Sequence, residues 1–324
     1  MSLCFSARRL ACAGALAALA AAPAAFAQPS PWAPTASEGL AVGVEVLKPF
    51  FDTRPLPEGV GDGYGAGSST TFLTLGAPLR PGLRLVAELP VTYLDLDRNV
   101  TLDGFESGDA EDDRLVGDPT GDLELGNPYL GVEAALAEGV TLEAGARLPL
   151  VDDGERYFAS EWLLVAPATD PDRVDAFAEG YLPVGARVAW RRPLGEGAAL
   201  RLRGGPSVLV NVSDEAPPGD PRATYDPGFY AAFPARDGVL VLAGYSADVS
   251  AGAGPLRLVG GLSGVFDVGG GGVGSARTGH QAALALDAAG GRVRPGAVLR
   301  VPLGGADEAG VDYVVGLRLA ADLR

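Results

Sequence analysis

Leu83-Arg84-Leu85-Val86-Ala87-Glu88-Leu89-Pro90-Val91-Thr92-Tyr93 decides the fold of this chain. Its odd positions are apolar, while Arg84, Glu88 and Thr92 stand at even ones. Side chains of a β-strand point alternately to opposite faces, so a period of two describes a strand with one greasy side and one wet side. Twelve segments share this rhythm. They span, to within a few residues, 39–50, 69–79, 83–95, 121–136, 139–151, 181–192, 198–212, 238–250, 255–268, 278–289, 291–303 and 311–323.

The links between these segments fall into two kinds that strictly alternate. Arg80-Pro81-Gly82, Ala137-Glu138, 193–197, 251–254 and Gly290 are short, as tight hairpins require. The intervening links 51–68, 96–120, 152–180, 213–237, 269–277 and 304–310 are longer. In an up-and-down barrel with both termini in the periplasm, every second connection lies on the same side. Short periplasmic turns and long extracellular loops are then expected. The sequence therefore predicts an all-β protein, a transmembrane up-and-down antiparallel β-barrel of about 12 strands. Segment 69–79, rich in Ser and Thr, carries the weakest pattern, and without it the count is ten.

The phase of each strand follows from its charges. Leu200, Leu202, Val208 and Val210 alternate with Arg201, Arg203, Ser207 and Asn211, and Leu256, Leu258, Leu262 and Phe266 with Arg257, Ser263 and Asp267. Val293, Leu299 and Val301 alternate with Arg292, Arg294 and Arg300, and Val315, Leu317 and Leu319 with Arg318 and Asp322. An Arg facing lipid at the bilayer midplane costs about 2–4 kcal/mol, so the charged register faces the interior. One strand breaks phase: Leu123 and Leu125 face out before Gly126-Asn127-Pro128, and Leu130, Val132, Ala134 and Leu136 after it, which predicts a β-bulge.

Residues 1–27 read as a cleaved secretory signal peptide, with Arg8 and Arg9, an apolar stretch from Leu10 to Ala22 and an Ala25-Phe26-Ala27 cleavage site. Residues 28–37 form a short periplasmic segment and 38–324 a single barrel. Lipoprotein processing at Cys12 and twin-arginine export at Arg8-Arg9 fit the spacing less well. Both cysteines, Cys4 and Cys12, lie in the signal, so the mature chain has no disulfide. It retains 23 basic against 41 acidic residues, a balance of −18, which disfavours nucleic acid as a partner. A mean hydropathy of +0.17 alongside so much acid is what a barrel with lipid-facing apolar residues and charged loops produces.

Closing twelve strands at the usual spacing and tilt gives a backbone diameter of about 24 Å, wide enough for a lumen. Its candidate lining is Glu45, Arg84, Glu88, Glu143, Arg147, Arg187, Asp248, Asp267, Gln281, Asp287, Arg300 and Arg318. Opposed Arg and carboxylate arrays select solutes in some pores; alternatively these residues pair with each other in a narrow or closed barrel. Loop 152–180 is the longest and most aromatic, and Tyr157, Phe158, Trp162 and Phe177 are its candidates for an apolar plug or solute contact. The competing and preferred reading is an extracellular cap against loop 213–237.

Loop 96–120 is strongly acidic, but Val100 occupies the turn-glycine position of a calcium loop and no acid closes it correctly. It reads as a solvated loop, and no metal or cofactor is assigned. His280, the sole histidine, falls in the outward register near the extracellular rim, so no catalytic residue is assigned and the chain is not read as an enzyme.

Three stretches, Gly121 to Gly131, Leu83 to Tyr93 and Arg294 to Leu303, resemble outer-membrane transporters grouped with the meta-pathway of phenol degradation. The resemblance implies uptake of small aromatic or hydrophobic solutes. One departure is the C-terminus: barrels inserted by the usual machinery end on an aromatic residue, and this chain ends Asp322-Leu323-Arg324. The expected role is a channel or diffusion facilitator in the bacterial outer membrane. The expected partners are outer-membrane lipid, the barrel-assembly machinery and a small-molecule solute. The alternative is a non-conducting barrel with a structural or ligand-binding role carried by its loops.

Overall fold

The computed structural model describes residues 39–51, 68–94, 122–151, 169–178, 180–212, 239–268, 279–303 and 311–323. The signal segment, residues 28–37, the acidic loop 96–120, loop 213–237, and Tyr157, Phe158 and Trp162 lie outside them.

The strands are β1 (Leu40–Phe51), β2 (Ser69–Arg80), β3 (Leu83–Leu94), β4 (Asp122–Leu125), β5 (Tyr129–Ala137), β6 (Val140–Arg147), β7 (Tyr181–Gly195), β8 (Ala198–Asn211), β9 (Val239–Ala253), β10 (Leu256–Asp267), β11 (Gly279–Ala288), β12 (Val293–Pro302) and β13 (Val311–Leu323). All pairings are antiparallel. The circle closes where β1 meets β13, from Leu40 opposite Leu323 to Phe50 opposite Tyr313. β4 and β5 both pair with β3, one above the other, so the wall contains twelve strands. Among the described residues every wall strand except the short β4 is paired on both sides, as a sheet in lipid requires. β2 is fully integrated, paired with β1 on one side and β3 on the other.

The phase read from the charges holds. Leu317 is 67% exposed on the outer surface while its neighbours Gly316 and Arg318 are buried on the inner one. Leu130, Leu202, Leu258, Leu284 and Leu299 are likewise exposed outside. Turns are tight at the periplasmic end, where Gly82 (φ 75°) and Gly139 (φ 71°) adopt the left-handed conformation that a β-carbon would strain. Toward the long-loop end, rings stack on the outer surface. Phe50 lies 4.7 Å from Tyr313 beneath Lys48, and Tyr245 lies 5.2 Å from Phe266 with its hydroxyl 3.2 Å from His280 Nδ1. Rings with a polar edge settle at the membrane–water interface, so these clusters belong to an aromatic girdle.

The phase break at Gly126-Asn127-Pro128 is an interruption rather than a simple bulge. β4 stops at Leu125, β5 starts at Tyr129, and β6 ends at Arg147, four residues short of the expected 151. The cause is Asn127, whose Oδ1 accepts from the backbone N–H groups of Leu150 and Val151 at 2.9 and 3.0 Å, in place of a strand partner.

Candidate functional site in the barrel interior

The interior is occupied by part of loop 152–180. Residues 169–178, including a 3₁₀ helix at Pro171–Phe177 capped by Asp170, lie within the barrel rather than over it. This corrects the expectation of a cap for the described part of the loop. Two kinds of contact hold the segment, and each lines up with a layer of inward side chains.

The first layer is apolar. Phe177 and Ala176 pack with Leu47, Phe72, Val151, Val298 and Val314, and the Phe177 ring meets Phe72 edge-on at 6.3 Å. Val174 and Ala178 pack with Tyr181, Leu209, Leu240, Leu242 and Val265. The inner face is therefore not uniformly polar. These inward apolar residues can be accommodated because the inserted segment gives them a dry surface, and burial of each large one stabilises the seated state by about 1.5–3 kcal/mol.

The second is ionic, and on β10 to β12 its members Ser263, Gln281 and Arg300 lie on the long-loop side of Val259, Ala283 and Val298. Arg173, 1% exposed, donates to Glu45 at 2.8 Å, approaches Glu88 at 3.2 Å and Asp170 at 3.5 Å, and places its guanidinium 3.7 Å over the Phe72 ring. Arg300 reaches Glu45 at 2.9 Å and Asp170 at 2.7 Å. Arg147 joins Glu88 at 2.8 Å to Asp175 at 3.1 Å and donates to the Asn127 carbonyl. Asp172 accepts from Ser263 at 2.6 Å and Gln281 at 2.8 Å. Burial first, and then the neighbouring Asp170 carboxylate, push Asp172 up to about 6. Charges this deep would be costly alone, and each is placed against an opposite charge or a hydrogen-bond partner.

A backbone clasp completes the docking. Asn127 Nδ2 donates to the Ala178 carbonyl at 2.8 Å, and the Asn127 N–H donates to the Ala176 carbonyl at 2.6 Å. The wall break and the inserted segment are thus one feature: the strand opens at Asn127 to hydrogen-bond the loop.

Of the sequence candidates, Glu45, Glu88, Arg147, Gln281 and Arg300 converge on the segment. Arg187 donates to the Asp172 carbonyl at 3.5 Å. Asp248 pairs with Arg201 and Asp287 with Arg318 along the wall, at 2.8 and 2.6 Å. Glu143 accepts from the Tyr129 hydroxyl at 3.0 Å, with that ring lying flat over Gly131 and Gly145, where any β-carbon would strike it. Among the described residues Arg84 makes no hydrogen bond to the segment but lines, with Arg173, a cavity in the periplasmic half. The Asp267 side chain lies outside the description, while Phe177 sits in the apolar layer. Sequence reasoning missed Arg173, Asp170, Asp172 and Asp175 as interior groups. The signal was present, in that Asp170-Pro171-Asp172-Arg173-Val174-Asp175 is a charged run inside an aromatic loop, facing strands full of Arg and Glu. Among the described residues no group of three or more His, Cys, Asp or Glu side chains is placed to hold a metal ion.

A closed antiparallel barrel with an apolar exterior, an aromatic girdle and a charged interior defines the outer-membrane β-barrel fold with porin-like architecture. Solved structures similar to this chain include the NanC porin (8% identity, TM-score 0.46, covering 88% of this chain and 100% of that one). They also include the toluene transporter TodX of P. putida (10%, 0.40, covering 92% and 93%) and the CymD monoaromatic hydrocarbon channel (10%, 0.38, covering 88% of each). Likeness at these identities is one of barrel architecture. No protein-family model and no curated protein matches the chain.

Proposed function

We propose that the protein is a passive outer-membrane channel or diffusion facilitator for small solutes, hydrophobic or aromatic ones among them, whose conduit is occupied at rest by residues 169–178. The observation that carries this reading is the way the segment is held. It is seated by ion pairs and a short apolar contact surface inside a closed wall, not by a covalent link; residues 152–168 precede it, and Glu179 and Gly180 join it to the start of β7. Such a contact is reversible, and its release leaves both charged and apolar inward side chains lining the lumen. Solutes with an apolar body would be accommodated by the Phe72, Leu47 and Leu209 layer, in keeping with the resemblance of the sequence to phenol-pathway transporters.

The same filled middle favours a second reading, a non-conducting barrel whose loops bind a ligand or partner. Arg300 and Thr70 are fully buried, and inward charges largely pair with one another. Planar-bilayer recordings separate the two. A channel gives stepwise conductance with closures, and liposome swelling with phenolic and sugar solutes then ranks its substrates. A folded barrel that stays silent in both assays excludes the channel.

A further inference from the structure

Beneath the inserted segment the periplasmic half of the lumen holds a cavity of about 100 Å³. At roughly 30 Å³ for each water, it admits about three waters or a compact solute. Part of its wall is small or apolar: Ala41, Gly43, Gly76, Val86 and Ala320. Four guanidinium groups share that wall, those of Arg84, Arg173, Arg294 and Arg318, together with Glu45 and Glu133.

Three of the arginines are engaged. Arg173 binds Glu45 and Glu88, Arg294 grips both carboxylate oxygens of Asp322, and Arg318 holds Asp287. Arg84 is different. Its guanidinium lies over Gly76, in space that any β-carbon there would take, and its Nε and Nη2 are shielded from water while donating no hydrogen bond. Glu133 stands opposite in the β3–β5 ladder and contributes a neighbouring negative charge, not an acceptor for those two donors. Nε–H and Nη2–H form one edge of the guanidinium, the edge that matches the two oxygens of a carboxylate. Shielded donors without acceptors are costly, so a solute that supplies them is bound at an advantage. Arg84 is only part-buried and has a long, flexible stem with which to turn that edge toward the cavity.

We infer that this chamber is a binding site for a small organic anion, a carboxylate on a compact apolar or aromatic body, with Arg84 taking the carboxylate and the Ala41, Val86 and Ala320 wall taking the body. The inference rests on the channel reading for its role in transport, but the binding itself does not require conductance.

Binding of benzoate to the full-length, detergent-folded barrel, measured by calorimetry with benzyl alcohol as the neutral counterpart, tests it. Benzoate is expected to saturate one site, to weaken with added salt and to bind more tightly than benzyl alcohol. Arg84→Gln is expected to lower benzoate affinity about tenfold or more, the usual loss when charged hydrogen bonds are removed. Arg84→Lys, which keeps the charge but not the fork, is expected to fall between, and it provides the readout if Arg84→Gln does not fold. Equal binding of benzoate and benzyl alcohol, no saturable benzoate binding, or an unchanged benzoate affinity in a folded Arg84 variant overturns the site. Conductance without benzoate binding removes this inference alone; benzoate binding in a silent barrel removes the channel reading alone.

Discussion

Arg173 Nη2 lies 2.8 Å from Glu45 Oε2, joining residues 128 positions apart and tying an inserted loop to the first strand of the wall. Both are buried, and Arg300 approaches the same carboxylate from the opposite side of the sequence. Occupancy of the lumen therefore depends on a few charges whose removal has directional consequences.

Arg173→Ala leaves Glu45, Glu88 and Asp170 short of a partner in a dry site. Removing one member of such a pair costs about 3–5 kcal/mol, comparable to the stabilisation from a few buried apolar side chains. The segment is expected to leave the lumen while the wall persists. Single-channel recordings should show longer openings than wild type, and a variant with unaltered gating would contradict this account.

Acidity is expected to act through Asp172. In the seated segment its carboxyl titrates near 6, above the ordinary 3.8, because burial and Asp170 disfavour its charge. The seated state then binds more protons than the released state between those values, so seating weakens as pH rises from about 4 to 6 and levels off above. Its surroundings are Asp170, Arg187, Arg300, Ser263 and Gln281. Open probability should climb through that window, and Asp172→Asn should flatten the profile.

Asn127 serves the wall and the segment at once. Asn127→Ala deprives the Leu150 and Val151 N–H groups and the Ala178 carbonyl of their partners, at about 1–3 kcal/mol for each group left unsatisfied. A lower urea midpoint is expected. Asn127→Asp retains the acceptors but not the donor to Ala178, so it should lose less; equal loss in both would assign the effect to the donor to Ala178 and not to the Leu150 and Val151 bonds.

Leu317, at the centre of β13, faces lipid. Leu317→Arg should cost about 2–4 kcal/mol and reduce the folded fraction in bilayers, read from heat-modifiable gel mobility. Tolerance of this arginine would mean that the outward phase is wrong.

The strand count, the lipid-facing phase and the sorting of turns from loops were legible in the sequence because each rests on local rules. A period of two, the Gly and Pro of tight turns, and the penalty for an arginine in lipid act over a few residues. Even the wall break announced itself, since Leu125 and Leu130 cannot both face out on one regular strand. Its purpose did not, because the partners of Asn127 include Ala178, 51 positions away.

The aromatic side of loop 152–180 drew attention in the sequence, whereas the charged run from Asp170 to Asp175 does much of the anchoring. Nothing local distinguishes a carboxylate that meets water from one that meets Arg300, because that depends on the stagger of the whole barrel and the path of the loop. The sequence by itself determined a twelve-stranded outer-membrane barrel with charge indoors, since the bilayer imposes its pattern residue by residue. Only the tertiary structure decided that the middle of the lumen is filled and that Arg84 keeps an edge of open donors. Both follow from which inward side chains closure brings face to face across hundreds of residues, as with Arg300 and Glu45.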